Sequence, residues 1–458
     1  MLTIKIPNKY YEERRYALDV IFSQWLGLEW NLKVENRKNT SLSIDESKKV
    51  IIIPDIFFNI EEKYWLDYKS MPKSSQLLST TYFNYKNIHL EKNDIPVIFG
   101  DFESIEKSKD DIIEIPIDII GSTFYMLSRY EELVVKDRDK YNRFLAKYSN
   151  SKKNGYLQRP IIDEYITLLT DIMKNIWPNV NVKKINGKMI VSCDVDEPYE
   201  RWITSPIYFL KGLAGSLVRH RSINHAINRI KNAMASYKED YRYDQNWNFD
   251  WYMNKCEENG HTATFYFIAN KGKSKYDAIY SIEDERIRKL IKKIIVRGHN
   301  IGLHSSFNTY NNELQLKSEY QRLNNEIDRS GGLLKGLNRQ HYLKWDARLT
   351  PSILDNIGLL NDSIGYSDMP GFRFGTSRTF KMWGWERRSQ LNLTQTPLIM
   401  MESSVISSLG LGHSEEALHL MTYIKNIALK YGGNFNLLWH NSSLLSNEDR
   451  FLFEKLLK

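Results

Sequence analysis

The strongest constraint on what this chain can fold into is its rhythm beyond about residue 187, where short apolar runs alternate with helical patterns. The runs "KMIVSC", "TATFYFI", "NIGLH", "LNRQHYL", "TPLIMMESS" and "NFNLLWH" read as strands, being short and rich in β-branched and aromatic residues. Between them, "EDERIRKLIKKIIVRG" and "NELQLKSEYQRLNNEIDRS" repeat apolar residues at helical spacing. Such alternation predicts parallel strands with helices packed outside, as an open sheet or a barrel. Asp194, Asp196, His304, Arg339, His341 and His440 all fall at the C-terminal ends of these strands. In an α/β barrel those ends meet on one face, where catalytic groups gather.

The stretch "VSCDVDEPY", Val191 to Tyr199, places two carboxylates two positions apart at the end of an apolar run. Such a pair repels unless something positive lies between its members. A metal ion or a general-base role explains it, and so does a turn or helix cap before Pro198. Comparable alternatives hold elsewhere. His440 is either a buried histidine satisfied by hydrogen bonds or a proton donor, and Arg339 is either an ordinary ion pair or a group that orients a carboxylate. His341 follows Arg339 by two residues, so both belong to one face of their strand.

Ahead of this region, runs such as "KVIIIPDIFF" and "DIPVIFG" with a helical "RRYALDVIFSQWLGL" predict a smaller α/β domain over residues 1–114. Residues 115–186 read as a helical connector built from two apolar-faced helices and a charged loop, ending at "PNVNVKKINGK". Residues 187–458 form the C-terminal unit, with a helical insertion at about 205–245. A chain of 458 residues is long enough for two such parts.

The formal charge of +8 is spread along the chain and interleaved with acids, which marks no nucleic-acid surface. Its densest stretch, Leu210 to Lys238, has amphipathic spacing compatible with a peripheral membrane contact or with a solvated helix covering the domain. The two cysteines form no CxxC or Cys/His cluster, and the polar, charged start does not read as a signal peptide. A cytoplasmic location is the expectation.

With these residues in view, the sequence from about Gly187 to Lys458 resembles the polysaccharide deacetylase superfamily, the carbohydrate esterases with a NodB-homology domain. "SCDVDEP" resembles its first motif, "TATFYFI" the strand usually written ATFF, and "RGHNIGLHSSFN" its GHEIGxHxxxH metal motif. "NRQHYLKWD" occupies the place of the Arg-containing motif, and "LLWH" that of the final Leu-x-x-His strand. Two departures stand out: Val195 separates the Asp pair, as in deformylases of lipid-linked amino-arabinose, and Asn308 stands where the second metal histidine is usual. With "SRYEELV" and "GFRFGTSRTF", the whole chain looks like a divergent bacterial subgroup with an extra N-terminal domain, linked with surface-polysaccharide genes.

The resemblance implies a distorted (β/α) barrel of the polysaccharide deacetylase type and one divalent metal ion, zinc or another transition metal. By the same resemblance Asp194 is the base, His440 the acid and Arg339 the group that orients the catalytic Asp, with Asp196, His304 and Asn308 as metal ligands. An Asn ligand offers only a neutral oxygen, and His341 is the alternative for that position. His341, Trp345 and Arg373 are candidates for substrate contact, through an aromatic face or an anion-binding guanidinium. The expected reaction is metal-dependent removal of an acetyl or formyl group from an amino sugar, carried on a carbohydrate, lipid or nucleotide. The alternatives are a hydrolase of another non-peptide C–N bond and a non-catalytic glycan-binding protein on the same barrel.

Overall fold

The computed structural model describes residues 1–45, 47–73, 76–83, 88–102, 111–200, 244–270 and 274–458, with isolated positions between 201 and 243. The expected insertion at 205–245 and the amphipathic stretch from Leu210 to Lys238 therefore lie almost wholly outside the described residues.

The N-terminal part is a mixed sheet. Its strands are β1 (Leu2–Ile6), β2 (Trp30–Val34), β3 (Thr40–Ile44) and β4 (Val50–Ile53), followed by the hairpin β5 (Gln76–Ser79) and β6 (Asp94–Val97), which stands apart, and by β7 (Ile112–Glu114). The order is β2-β1-β3-β4-β7, with β1 parallel to β2 and antiparallel to β3. The helix Tyr11–Leu18 runs on into a wider π-helical stretch, Asp19–Trp25, which buries Val20, Ile21, Phe22 and Trp25. Ile119–Leu127 is a helix buried along its whole length, capped by Asp118, whose carboxylate also takes the N–H groups of Ile56 and Phe57. The amphipathic helix Ile161–Ile176 completes this part.

Beyond residue 187 come β8 (Met189–Val195), β9 (Ala263–Phe267), β10 (Asn300–Ser305), β11 (Leu337–Gln340), β12 (Asn361–Asp362), β13 (Phe380–Gly384), β14 (Ser389–Gln395), β15 (Met400–Met401) and β16 (Phe435–Leu438). They form one sheet in the order β13-β14-β12-β11-β10-β9-β8-β16-β15. All neighbours are parallel except β13 and β14. A strand lies within each expected run, although "LNRQHYL" leaves it at Gln340 and "TPLIMMESS" contributes only Met400–Met401, and helices Glu285–Val296 and Glu313–Arg329 lie where the apolar periodicity predicts them. The short β12 and the β13–β14 hairpin were not anticipated. The segment after β14 is bonded on both sides. Thr396 and Leu398 donate to the carbonyls of Asp362 and Ile364, whereas Ile399 donates to that of Asn436 beside β16. One segment thus links the β12 flank of the sheet to the β16 flank.

The two parts share a single hydrophobic core. Trp383 of β13 packs against Tyr16 and Phe124 at ring-centroid distances of 5.3 Å each. Along β13, Tyr16 Oη donates to the Lys381 carbonyl, Trp25 Nε1 donates to the Thr379 carbonyl, and Gln24 Oε1 accepts from Lys381 N. Among the described residues no helix is long and apolar enough to cross a membrane.

Candidate active site

Strand alternation places Ser192 and Asp194 of β8 on one face, opposite the apolar Cys193 and Val195. Both accept from Arg339 Nη1, at 2.8 Å each, and Arg339 Nη2 reaches Ser363 Oγ at 2.9 Å. The guanidinium is fully buried, with the Tyr266 ring 4.5 Å from its carbon. A buried cation held in this way fixes one oxygen of Asp194 and leaves Oδ2 directed at His304, 3.6 Å from Nε2.

His304 Nδ1 lies 2.8 Å from the Arg339 carbonyl, an acceptor only, so that nitrogen carries the proton and Nε2 is free to accept. His304 Nε2 is 3.3 Å from Asp196 Oδ1, and His341 Nε2 is 3.5 Å from the same oxygen. Asp196 Oδ1 is buried, yet it is aligned for a hydrogen bond with neither. The ligand atoms of Asp196, His304 and His341 all lie within 4.8 Å of one another. Tetrahedral ligands at about 2.0–2.1 Å from a zinc-like ion stand roughly 3.3–3.4 Å apart, so this carboxylate and these imidazoles suit a divalent ion. Behind His341, Nδ1 meets Asp277 Oδ1 at 3.4 Å, the kind of outer carboxylate that orients a ligand histidine.

Charge follows from the geometry. Burial disfavours a proton on His341, but Asp196 and Asp277 outweigh it and raise the pKa to about 9. Burial likewise works against ionised Asp196, and the two imidazoles overcome it, holding the carboxyl well below the usual range. His440 follows β16 and places Nε2 3.7 Å from Asp196 Oδ2, while Nδ1 meets Glu402 Oε1 at 2.6 Å. Desolvation opposes its charge, yet Glu402 prevails and the pKa rises to about 10. Asp194, Asp196, Asp277, His304, His341 and His440 line a cleft of about 260 Å³, with Tyr276, Tyr342 and Arg143 on its wall.

The structure therefore gathers Asp194, Asp196, His304, Arg339, His341 and His440 into one site. It does not bring Asn308 there. β10 ends at Ser305, and Asn308 is exposed at the start of the turn Thr309–Asn311, outside the cleft lining. His341 takes the place beside Asp196 that was expected of Asn308.

Trp345 and Arg373, expected at the substrate, lie outside the cleft lining. Trp345 is 3 % exposed and absent from the cleft, with its ring 5.2 Å from the Arg373 guanidinium. Arg373 is buried, and its fork is spent on Glu132 at 2.9 and 2.7 Å and on the Gly365 carbonyl at 2.8 Å.

Sequence reasoning missed Glu402, Asp277 and Arg143. Glu402 had a signal, since it directly follows the apolar run of β15 as the other site residues follow theirs. Asp277 and Arg143 had none, because both come from irregular loops.

A family of unknown function (DUF7033) matches residues 2–178. Nothing among curated proteins matches the chain. Among solved structures, a putative polysaccharide deacetylase from Mycobacterium smegmatis is similar at 12 % identity and a TM-score of 0.38, over 60 % of this chain and 84 % of that one. A probable polysaccharide deacetylase from Pseudomonas aeruginosa PAO1 gives 12 % and 0.37, over 60 % and 84 %. The Puue allantoinase gives 11 % and 0.38, over 61 % and 85 %. Likeness at this level assigns no chemistry to the present chain.

Proposed function

We propose that this chain is a metal-dependent hydrolase on a distorted (β/α) barrel, removing an N-acetyl or N-formyl group from an amino sugar. The observation that carries the reading is Asp196 Oδ1, buried without a hydrogen bond between two imidazole Nε2 atoms. A carboxylate oxygen that faces two imidazole Nε2 atoms at 3.3 and 3.5 Å, aligned with neither, is the arrangement that a shared cation completes. Asp196, His304 and His341 would hold the ion, which when bound polarises an acyl carbonyl and lowers the pKa of water.

The remaining chemistry belongs to the chain. Asp194 is oriented through Oδ1 by Arg339, so Oδ2 is the atom that takes a proton from the attacking water. His440 holds a proton at neutral pH, on the cleft side of Glu402, where it can pass to the departing amine. Tyr276 and Tyr342 supply aromatic faces suited to a pyranose ring.

Two measurements test this. After incubation with zinc, cobalt, manganese or nickel, elemental analysis should find one ion per chain. Asp196→Ala, His304→Ala and His341→Ala should each lose it, whereas Asn308→Ala should keep it. The filled protein should then release acetate or formate from nucleotide- or lipid-linked N-acyl amino sugars. An empty wild-type site, or no release across a broad panel with the site filled, overturns the reading.

A further inference from the structure

His341 is presented by an unusual piece of backbone. The two residues after it, Tyr342 and Leu343, both adopt left-handed conformations, with φ of 60° and 52°. Neither is a glycine, and side chains at such positions persist only where the surroundings impose them. Tyr276 and Phe307 pack on the Tyr342 ring at 5.4 and 5.3 Å, and the connector supplies the polar part of the surroundings. Arg143 Nη1 donates to the Tyr342 carbonyl at 3.0 Å, while Nε and Nη2 reach Asp139 Oδ2 at 2.9 Å and 2.8 Å. Asp139 is itself held, because its Oδ1 accepts from the backbone N–H groups of Tyr141 and Arg143. The arginine lies beside a contacting pair of rings, 4.9 Å from the centroid of Tyr141 and 5.9 Å from that of Tyr342, whose centroids are 5.1 Å apart.

We infer that Arg143 is a positioning residue. Braced by Asp139, it clamps the left-handed Tyr342–Leu343 turn so that His341 Nε2 faces Asp196. Residues 2–178, which match a family of unknown function, thereby supply a part without which the site on the sheet is incomplete. The inference rests on the metal-site reading above for its consequence, but not for the clamp itself.

The test uses the full chain and two readouts. The first is amide hydrogen exchange of residues 341–346 in metal-free protein, expected to quicken about tenfold or more in Arg143→Ala. Unchanged exchange overturns the clamp whatever the site binds. The second is zinc affinity by chelator competition, expected to fall about 10–100-fold in Arg143→Ala, as on loss of an outer-shell partner. Adding Tyr342→Gly should recover part of the loss, because glycine adopts the left-handed turn unaided. Affinity equal to wild type in Arg143→Ala, or a loss that Tyr342→Gly does not relieve, overturns the inference. A wild type that binds no zinc counts against the hydrolase reading and leaves the exchange result to decide the clamp. Should Arg143→Ala not fold, Asp139→Asn carries the same expectations, and wild-type exchange there refutes them.

Discussion

At the scale of single residues, the pairing of His440 with Glu402 decides how the proposed acid behaves. With the carboxylate in place the imidazole stays charged to about pH 10, so a proton is available throughout the neutral range. Glu402→Gln removes the charge that favours the protonated ring, and the pKa should fall back toward that of an ordinary histidine. The alkaline limb of kcat/KM should accordingly move to lower pH by more than one unit, and an unmoved limb would exclude His440 as the acid. His440→Ala should lower kcat about 10²–10⁴-fold with little change in ground-state binding. The convergence of Asp194, Asp196, His304 and His440 was legible because each follows an apolar run, whereas Arg339, preceded by Asn338, was singled out by resemblance. Asn308 was misread because spacing along a chain does not say where a turn will point once its strand has ended.

At the scale of elements, the buried cluster around Arg373 joins the connector to the sheet. Glu132 takes Arg373 on one side and Arg129 on the other, at 2.7 and 2.8 Å. Arg373→Ala leaves a buried carboxylate with half its partners, and urea unfolding should show a loss of about 3 kcal/mol with zinc affinity unchanged. Weakened substrate binding at unaltered stability would restore the anion-binding role instead. This role was invisible in the sequence because the partners stand 241 positions apart. Glu131 adds a pH dependence. Its burial raises the carboxyl pKa to about 7 in spite of Arg129. Between the unfolded pKa, about 4.3, and that value, the folded chain keeps a proton that the unfolded chain has released. Stability should therefore fall as pH rises through this window, by something on the order of 3 kcal/mol, and Glu131→Gln should flatten the slope.

At the scale of the whole molecule, the strand and helix rhythm was legible because repeated apolar periods do not depend on distant partners. The contact between the two parts was not, since its partners, such as Tyr16 with Trp383 and Glu132 with Arg373, stand hundreds of positions apart. Sharing one core, they should unfold together, and calorimetry should record a single transition; two separated transitions would mean independent domains. The docking of Tyr16, Gln24 and Trp25 on β13 has a further consequence. β13 is the terminal strand of its sheet, and a bare terminal strand is a template on which other chains can pair. Ribosomes deliver the N-terminal residues first. The guard is thus made before the edge it covers, and a nascent β13 emerges to find its partner already waiting in cis, ahead of any neighbouring chain on the same polysome.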